Sequence, residues 1–173
     1  KNQLAVLLSQ GLDIPLEEGV KAAEGSFGRL REQAKKLPGW LRDAVNAMNE
    51  FQMAALQRGG SLFQVERLSG LAVAAGASTG IDPRSAGFQI RKALEENATS
   101  GETPLVVSAL MGAGVSKETF NALSPEKRFE AILTAFGRFE SAIDLAAGTW
   151  TANWSTLLDT IRQSGEALIG PAF

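Results

Sequence analysis

"LEEGVKAAEGSFGRLREQAKKLPGWLRDAVNAMNEFQMAAL", residues 16–56, decides the fold. Its apolar residues fall at alternating steps of four and three: Leu16, Val20, Ala23, Phe27, Leu30, Ala34, Leu37, Leu41, Ala44, Met48, Phe51 and Ala55. A seam of that period keeps one stripe of a helix turned toward a partner. Strands would need strict alternation instead, and no segment pairs alternation with hairpin punctuation. The expected fold is therefore all-α, with helical hairpins or a coiled-coil-like seam, then a bundle of shorter helices, and no β-sheet.

Pro38-Gly39 interrupts the seam. Proline lacks the amide hydrogen and crowds the preceding turn, so the helix breaks or kinks there. A helical hairpin and one kinked helix both fit; two helices are the favoured reading. Glycines at 19, 25 and 28 weaken the first half by about 1 kcal/mol each relative to Ala, or else permit close backbone approach. Trp40, Val45, Ala47 and Ala54 widen the apolar face of the second half, which suits a bundle better than an isolated two-stranded coil.

Further along, Gly59-Gly60 makes a break, and Ser61 can cap a helix through Leu71 to Ala75. "AAGASTGIDP" reads as a loop by composition. Asp82-Pro83, Thr103-Pro104 and Ser124-Pro125 share one grammar, a capping side chain followed by proline at the first helical position. Ser116 offers a fourth start, with Glu118 in the first turn. After Ser124 one face carries Phe129, Ile132, Leu133, Phe136 and Ile143; the closing segment carries Trp150, Trp154, Leu157, Leu158, Ile161 and Leu168. The expected division is a hairpin or kinked segment over 1–58, a helix with a Gly/Ser/Thr loop over 59–80, and a compact helical segment over 81–173.

Composition narrows the chemistry. Of 173 residues, 45% are hydrophobic and 21% charged, which is globular, and the net charge of −2 supplies no basic field for nucleic acid. The chain has neither cysteine nor histidine. Thiol nucleophiles, disulfides, Cys or His metal sites and imidazole acid–base steps are absent with them. "LSGLAVAAGASTGI" is too short and too polar to span a membrane, and "KNQLAVLLSQG" lacks the marks of a secretory signal. A first residue of Lys reads as a piece of something longer.

Candidate sites reduce to weak ones. "GASTG", Gly76 to Gly80, lacks the lysine of a phosphate loop and reads as a helix end. Carboxylates at Glu17-Glu18, Glu95-Glu96 and around Asp144 read as solvated pairs rather than a glycosidase pair. Trp150 and Trp154 share a face with Leu157 and Leu158, so their rings read as buried or docked rather than stacked on sugars or bases. No catalytic, cofactor-binding or metal-ligating residue is assigned. The candidate interaction residues are Phe27, Leu30, Leu41, Trp150, Trp154, Leu157, Leu158 and Ile161.

"ALSPEKRFEAILTAFGRF" and "AAGTWTANWSTLLDTIRQSGEALIGPAF" together resemble the later part of phage tail tape-measure proteins. There a helical unit opens on a Ser-Pro-Glu-like cap. An aromatic, Trp-Ser-Thr-Leu, and an amphipathic helix ending in Gly-Pro follow. Trp154-Ser155-Thr156-Leu157 and Gly170-Pro171 match that pattern, and "FQIRKALEENATSGETPLVVSALMGAGVS" is similar to the stretch preceding it. The likeness covers roughly the second half of the chain. It implies a structural, non-enzymatic protein in the tail lumen or tip of a virion, without cofactors, which sets tail length and is released at DNA ejection. Its partners would be sister copies, as a trimer by first choice, with tail-tube and distal tail or baseplate proteins, and neither sequence-specific nucleic acid nor membrane. That reading expects unbroken helix, with Phe27, Leu30 and Leu41 exposed in a single copy and buried between copies. A helical adaptor domain, the alternative, expects the seam buried inside a compact monomer; a helical cell-wall hydrolase, the second alternative, expects a cleft with convergent carboxylates.

Overall fold

A computed structural model describes residues 2–34 and 40–141. Among them are eight α-helices, no strand, and a closing 3-10 turn at Gly137–Phe139. The helices are α1 (Asn2–Leu12), α2 (Leu16–Ala34), α3 (Trp40–Leu56), α4 (Leu62–Thr79), α5 (Pro83–Glu95), α6 (Pro104–Gly112), α7 (Lys117–Asn121) and α8 (Pro125–Phe136). The all-α expectation holds. Pro38-Gly39 lies outside the described residues, but α2 and α3 are separate helices that touch one another.

The capping grammar works in two ways. Ser61, Asp82 and Ser116 each accept a hydrogen bond from the backbone amide three residues on, satisfying one of the helix's orphan donors. At Ser61 the bond is reciprocated by the Gln64 side chain, a full capping box. Thr103 and Ser124 precede their prolines as expected but make no side-chain cap. The Thr103 hydroxyl turns back to the Thr99 backbone, and the Leu105 amide is instead capped by the Gln89 amide oxygen of α5, 2.8 Å away.

Helix α4 is the central element. It is buried almost continuously from Leu68 to Gly76, the pattern of a helix surrounded by others. It runs four residues beyond Ala75, so "AAGAST" is helical rather than loop; Gly80 ends it at φ +75°. Composition misleads here because Gly76 is buried where the helix meets the Ile81 backbone, while Ala77, Ser78 and Thr79 form an exposed last turn. The Ser78 and Thr79 hydroxyls return to the Ala74 and Ala75 carbonyls.

Helix α3 packs most extensively on α5, and also on α4 and α1. A Cβ at Gly87 would collide with the Ala47 backbone carbonyl, so α5 lies directly against α3. One hydrophobic cluster runs from Ala5 and Leu8 through Met48, Phe51 and Leu68 to Phe129 and Phe136. The expected divisions after residues 58 and 80 are therefore crossed by the core. Helices α3 and α5, distant in sequence, share their apolar faces.

The unbroken helix that a tape-measure segment is expected to form is not found among the described residues, where the chain turns at Asp13 and at Gly59-Gly60. Ala23, Leu30, Ala44, Met48, Phe51 and Ala55 are buried in this common core, each helix presenting one stripe to several neighbours. The period of three and four arises equally from a globular bundle.

Two measurements check this account. Gly87→Ala is expected to destabilise the protein in urea melts, despite a helix-propensity gain of about 1 kcal/mol, whereas Gly28→Ala, with nothing near its Cβ position, should stabilise by up to that amount. The hydroxyl and then the amide of Ser85 hold the Asp82 carboxyl below its ordinary value. Its contribution is therefore complete above the usual aspartate range and is lost as pH falls through the lowered value. Asp82→Ala should cost about 0.5–2 kcal/mol at neutral pH and progressively less in acid.

Candidate functional site

Large apolar side chains that stay in water mark where a helical protein has surface to spare. Among the described residues these are Val6, Leu12, Leu16, Val20, Phe63, Phe88 and Met111. Four of the seven belong to the α1–α2 hairpin. Leu16 and Val20 stand one turn apart on α2, 55% and 42% exposed. Phe88 is covered in part by the Arg91 guanidinium, 5.0 Å from the ring centre.

The sequence-derived interaction residues divide differently. Leu30 is fully buried within a single chain, and Phe27 and Leu41 are half-buried against the same core. The expectation that these three stand exposed in one copy is thus corrected. Helices α1, α3 and α4 supply the cover that a sister copy was expected to supply. Among the seam residues whose burial is described, Leu16 and Val20 in the first turns remain open. Trp150, Trp154, Leu157, Leu158 and Ile161 lie outside the described residues, as do Ile143 and Asp144.

Polar chemistry centres on one pair. Glu66 of α4 is 2% exposed, and both its oxygens accept from Arg29 of α2, at 2.6 and 2.5 Å. Donating to Glu66 raises the Arg29 guanidinium above its ordinary value, its partial burial opposing and the Glu66 charge adding to the rise. Both oxygens of the buried Glu66 are thereby paired within the fold. Other pairs have at least one exposed partner: Arg84 with the partly buried Glu50, Lys92 with Glu102, and Lys21 with Glu17. Glu17, Glu18, Glu95 and Glu96 all sit at the surface. Among the described residues no group of three or more acidic side chains is placed to hold a metal ion, and no helix is long and apolar enough to cross a membrane.

Arg128 of α8 is the other organising side chain. It donates to the carbonyls of Glu96, Asn121 and Leu123 and lies over the Phe120 ring. With the reciprocal bonds between Asn121 and the Ala98 backbone, it ties the chain after α5 to α7 and α8.

Sequence reading passed over Arg29, Glu66, Gln89 and Arg128. Gln89 left a signal, as a polar residue on the stripe of Ala86, Ile90 and Ala93. Glu66 also falls among apolar neighbours. Nothing local to Arg29 or Arg128 announces a partner, because each reaches another helix or loop.

No family model, curated protein or solved structure matches the chain.

Leu30→Ala is expected to lower stability by about 2–5 kcal/mol in denaturant melts, as a cavity in a packed core does. Leu16→Ala should stay within about 0.5 kcal/mol. The reverse ranking would mean that α2 faces another molecule with its Leu30 side.

Proposed function

We propose that this chain is a helical segment of a phage tail tape-measure protein, acting structurally in the tail lumen or tip. The observation that carries the reading is the likeness of "ALSPEKRFEAILTAFGRF" and "TWTANWSTLLDTIRQSGEALIGPAF" to the later part of such proteins. The reading is supported by Ser124-Pro125 standing immediately before α8, although Ser124 makes no side-chain cap there. In this reading the segment is a folded knot of short helices on a longer chain, rather than a stretch of continuous coil. Its work is mechanical: it occupies space, holds sister copies and tail-tip proteins, and leaves at DNA ejection. The docking elements are the stripe Trp150, Trp154, Leu157, Leu158 and Ile161, with Leu16 and Val20 as a second apolar surface.

A second reading, a helical adaptor domain, is favoured by one feature. Leu30 and most of the seam are covered within one chain, as a self-contained monomer requires. The two readings differ in what the chain joins, and sedimentation separates them. Tape-measure function expects concentration-dependent association, a trimer by first choice, weakened by Trp154→Ala. A concentration-independent monomer supports the adaptor. A tag on this segment is further expected to appear at the distal end of assembled tails by electron microscopy. Particles without the tagged chain would defeat the tape-measure reading.

A further inference from the structure

The α1–α2 hairpin is held together better than it is held to the rest. Within it, a Cβ on Gly19 would lie 2.6 Å from the Ala5 carbonyl oxygen, so the two helices touch backbone to backbone. The turn is closed by the Ser9 hydroxyl donating to Ile14 and the Ile14 amide donating back to Ser9. Helices α1 and α2 pack on each other more extensively than either packs on α3 or α4.

The surface under the hairpin is poorly satisfied. Gly11 of α1 abuts α3 at Met53 and Leu56, which fixes the side of α3 that faces the hairpin. Asn49 is one turn before Met53 and Gln52 one turn before Leu56, so both lie on that side. The buried Asn49 oxygen and both amide atoms of the fully buried Gln52 have no hydrogen-bond partner. On α2, the Ser26 hydroxyl is fully buried without one, on the face it shares with Ala23 and Leu30. Most of the buried polar atoms that lack partners among the described residues thus belong to this contact. Each opposes docking, because water would satisfy it once the hairpin left. What closes the contact is apolar packing at Leu8, Ala23 and Leu30, and the Arg29–Glu66 pair.

We propose that the α1–α2 hairpin is a releasable clasp that parts from α3 and α4 as one unit while α3 to α8 stay folded. Release solvates Asn49, Gln52, Ser26 and Glu66 together, and bares the Leu8, Ala23 and Leu30 stripe. Segments that open below the global unfolding free energy share these traits, namely few apolar contacts and a compact local unit. The inference is independent of the function proposed above, since it concerns how this chain opens and not what it joins.

Hydrogen exchange followed by mass spectrometry on the full chain tests it. Amides of α1 and α2 are expected to exchange as one group, about tenfold or more faster than those of α4 and α5. Arg29→Ala strands the buried Glu66 carboxylate, and should speed α1 and α2 by a further factor of about ten while α4 and α5 keep their rates. That factor is discounted for the half-exposed guanidinium. Lys21→Ala, which removes only a solvated pair within α2, should change neither group. A lock keeps the idea testable should Arg29→Ala fail to fold. A Cβ on Gly11 lies 3.6 Å from the Leu56 Cβ, within the roughly 3.5–4.5 Å that a disulfide spans. Oxidised Gly11→Cys/Leu56→Cys, in a chain with no other cysteine, should slow α1 and α2 to the pace of α5, and reduction should restore their exchange. Exchange at one rate across all helices, equal acceleration of all helices by Arg29→Ala, or an oxidised lock without effect would each overturn the proposal.

Discussion

The close approach of α3, α4 and α5 sets the geometry that the other helices follow. It depends on small side chains at the crossings: Ala44, Ala47, Ala54 and Ala55 on α3, Ala72 and Ala75 on α4, Ala86 and Gly87 on α5, all buried. With no Cβ at Gly87, α5 rests against the α3 backbone, and the larger Met48, Phe51, Leu68 and Ile90 fill the space between crossings. A tightly packed interior of this kind has little tolerance for added volume. Helix α8 then closes over one end with Phe129, Ile132 and Phe136.

The polar groups show what each part of the molecule tolerates. Around α5 to α8 the loop donors and acceptors are met by Gln89, Asn121 and Arg128, so that side is fastened by directional bonds between elements. Around α1 and α2 the buried Ser26, Asn49 and Gln52 are unmet and one ion pair bridges α2 to α4. Apolar burial holds both sides; between-element hydrogen bonds described on the second are those of Arg29 with Glu66. The exposed Val6, Leu12, Leu16 and Val20 fall on the less specified side.

Helix starts were legible because a cap is a local device. Ser61, Asp82, Thr103, Ser116 and Ser124 all precede helices as the sequence indicates. The same locality explains the errors. Residues 76–79 have the composition of a loop but continue α4, with Gly76 buried and the exposed Ser78 and Thr79 hydroxyls bonded back to carbonyls of their own helix. The seam through Leu30 has the spacing of a coil, and the spacing is equally that of any helix with one buried stripe. The candidate docking residues were chosen on that spacing, so Leu30 was assigned to a partner when its partners are α-helices of its own chain.

The sequence by itself determined that the chain forms helices, where most of them begin, and which chemistries it lacks, because period, capping and composition act over a few residues or none. The tertiary structure alone decided which stripe is covered by what. It joined α3 to α5 across the expected boundaries, brought Arg29 to Glu66, and lent Gln89 to the start of α6. Each of these pairs residues far apart in the chain, and no local pattern records how a folded backbone brings them together.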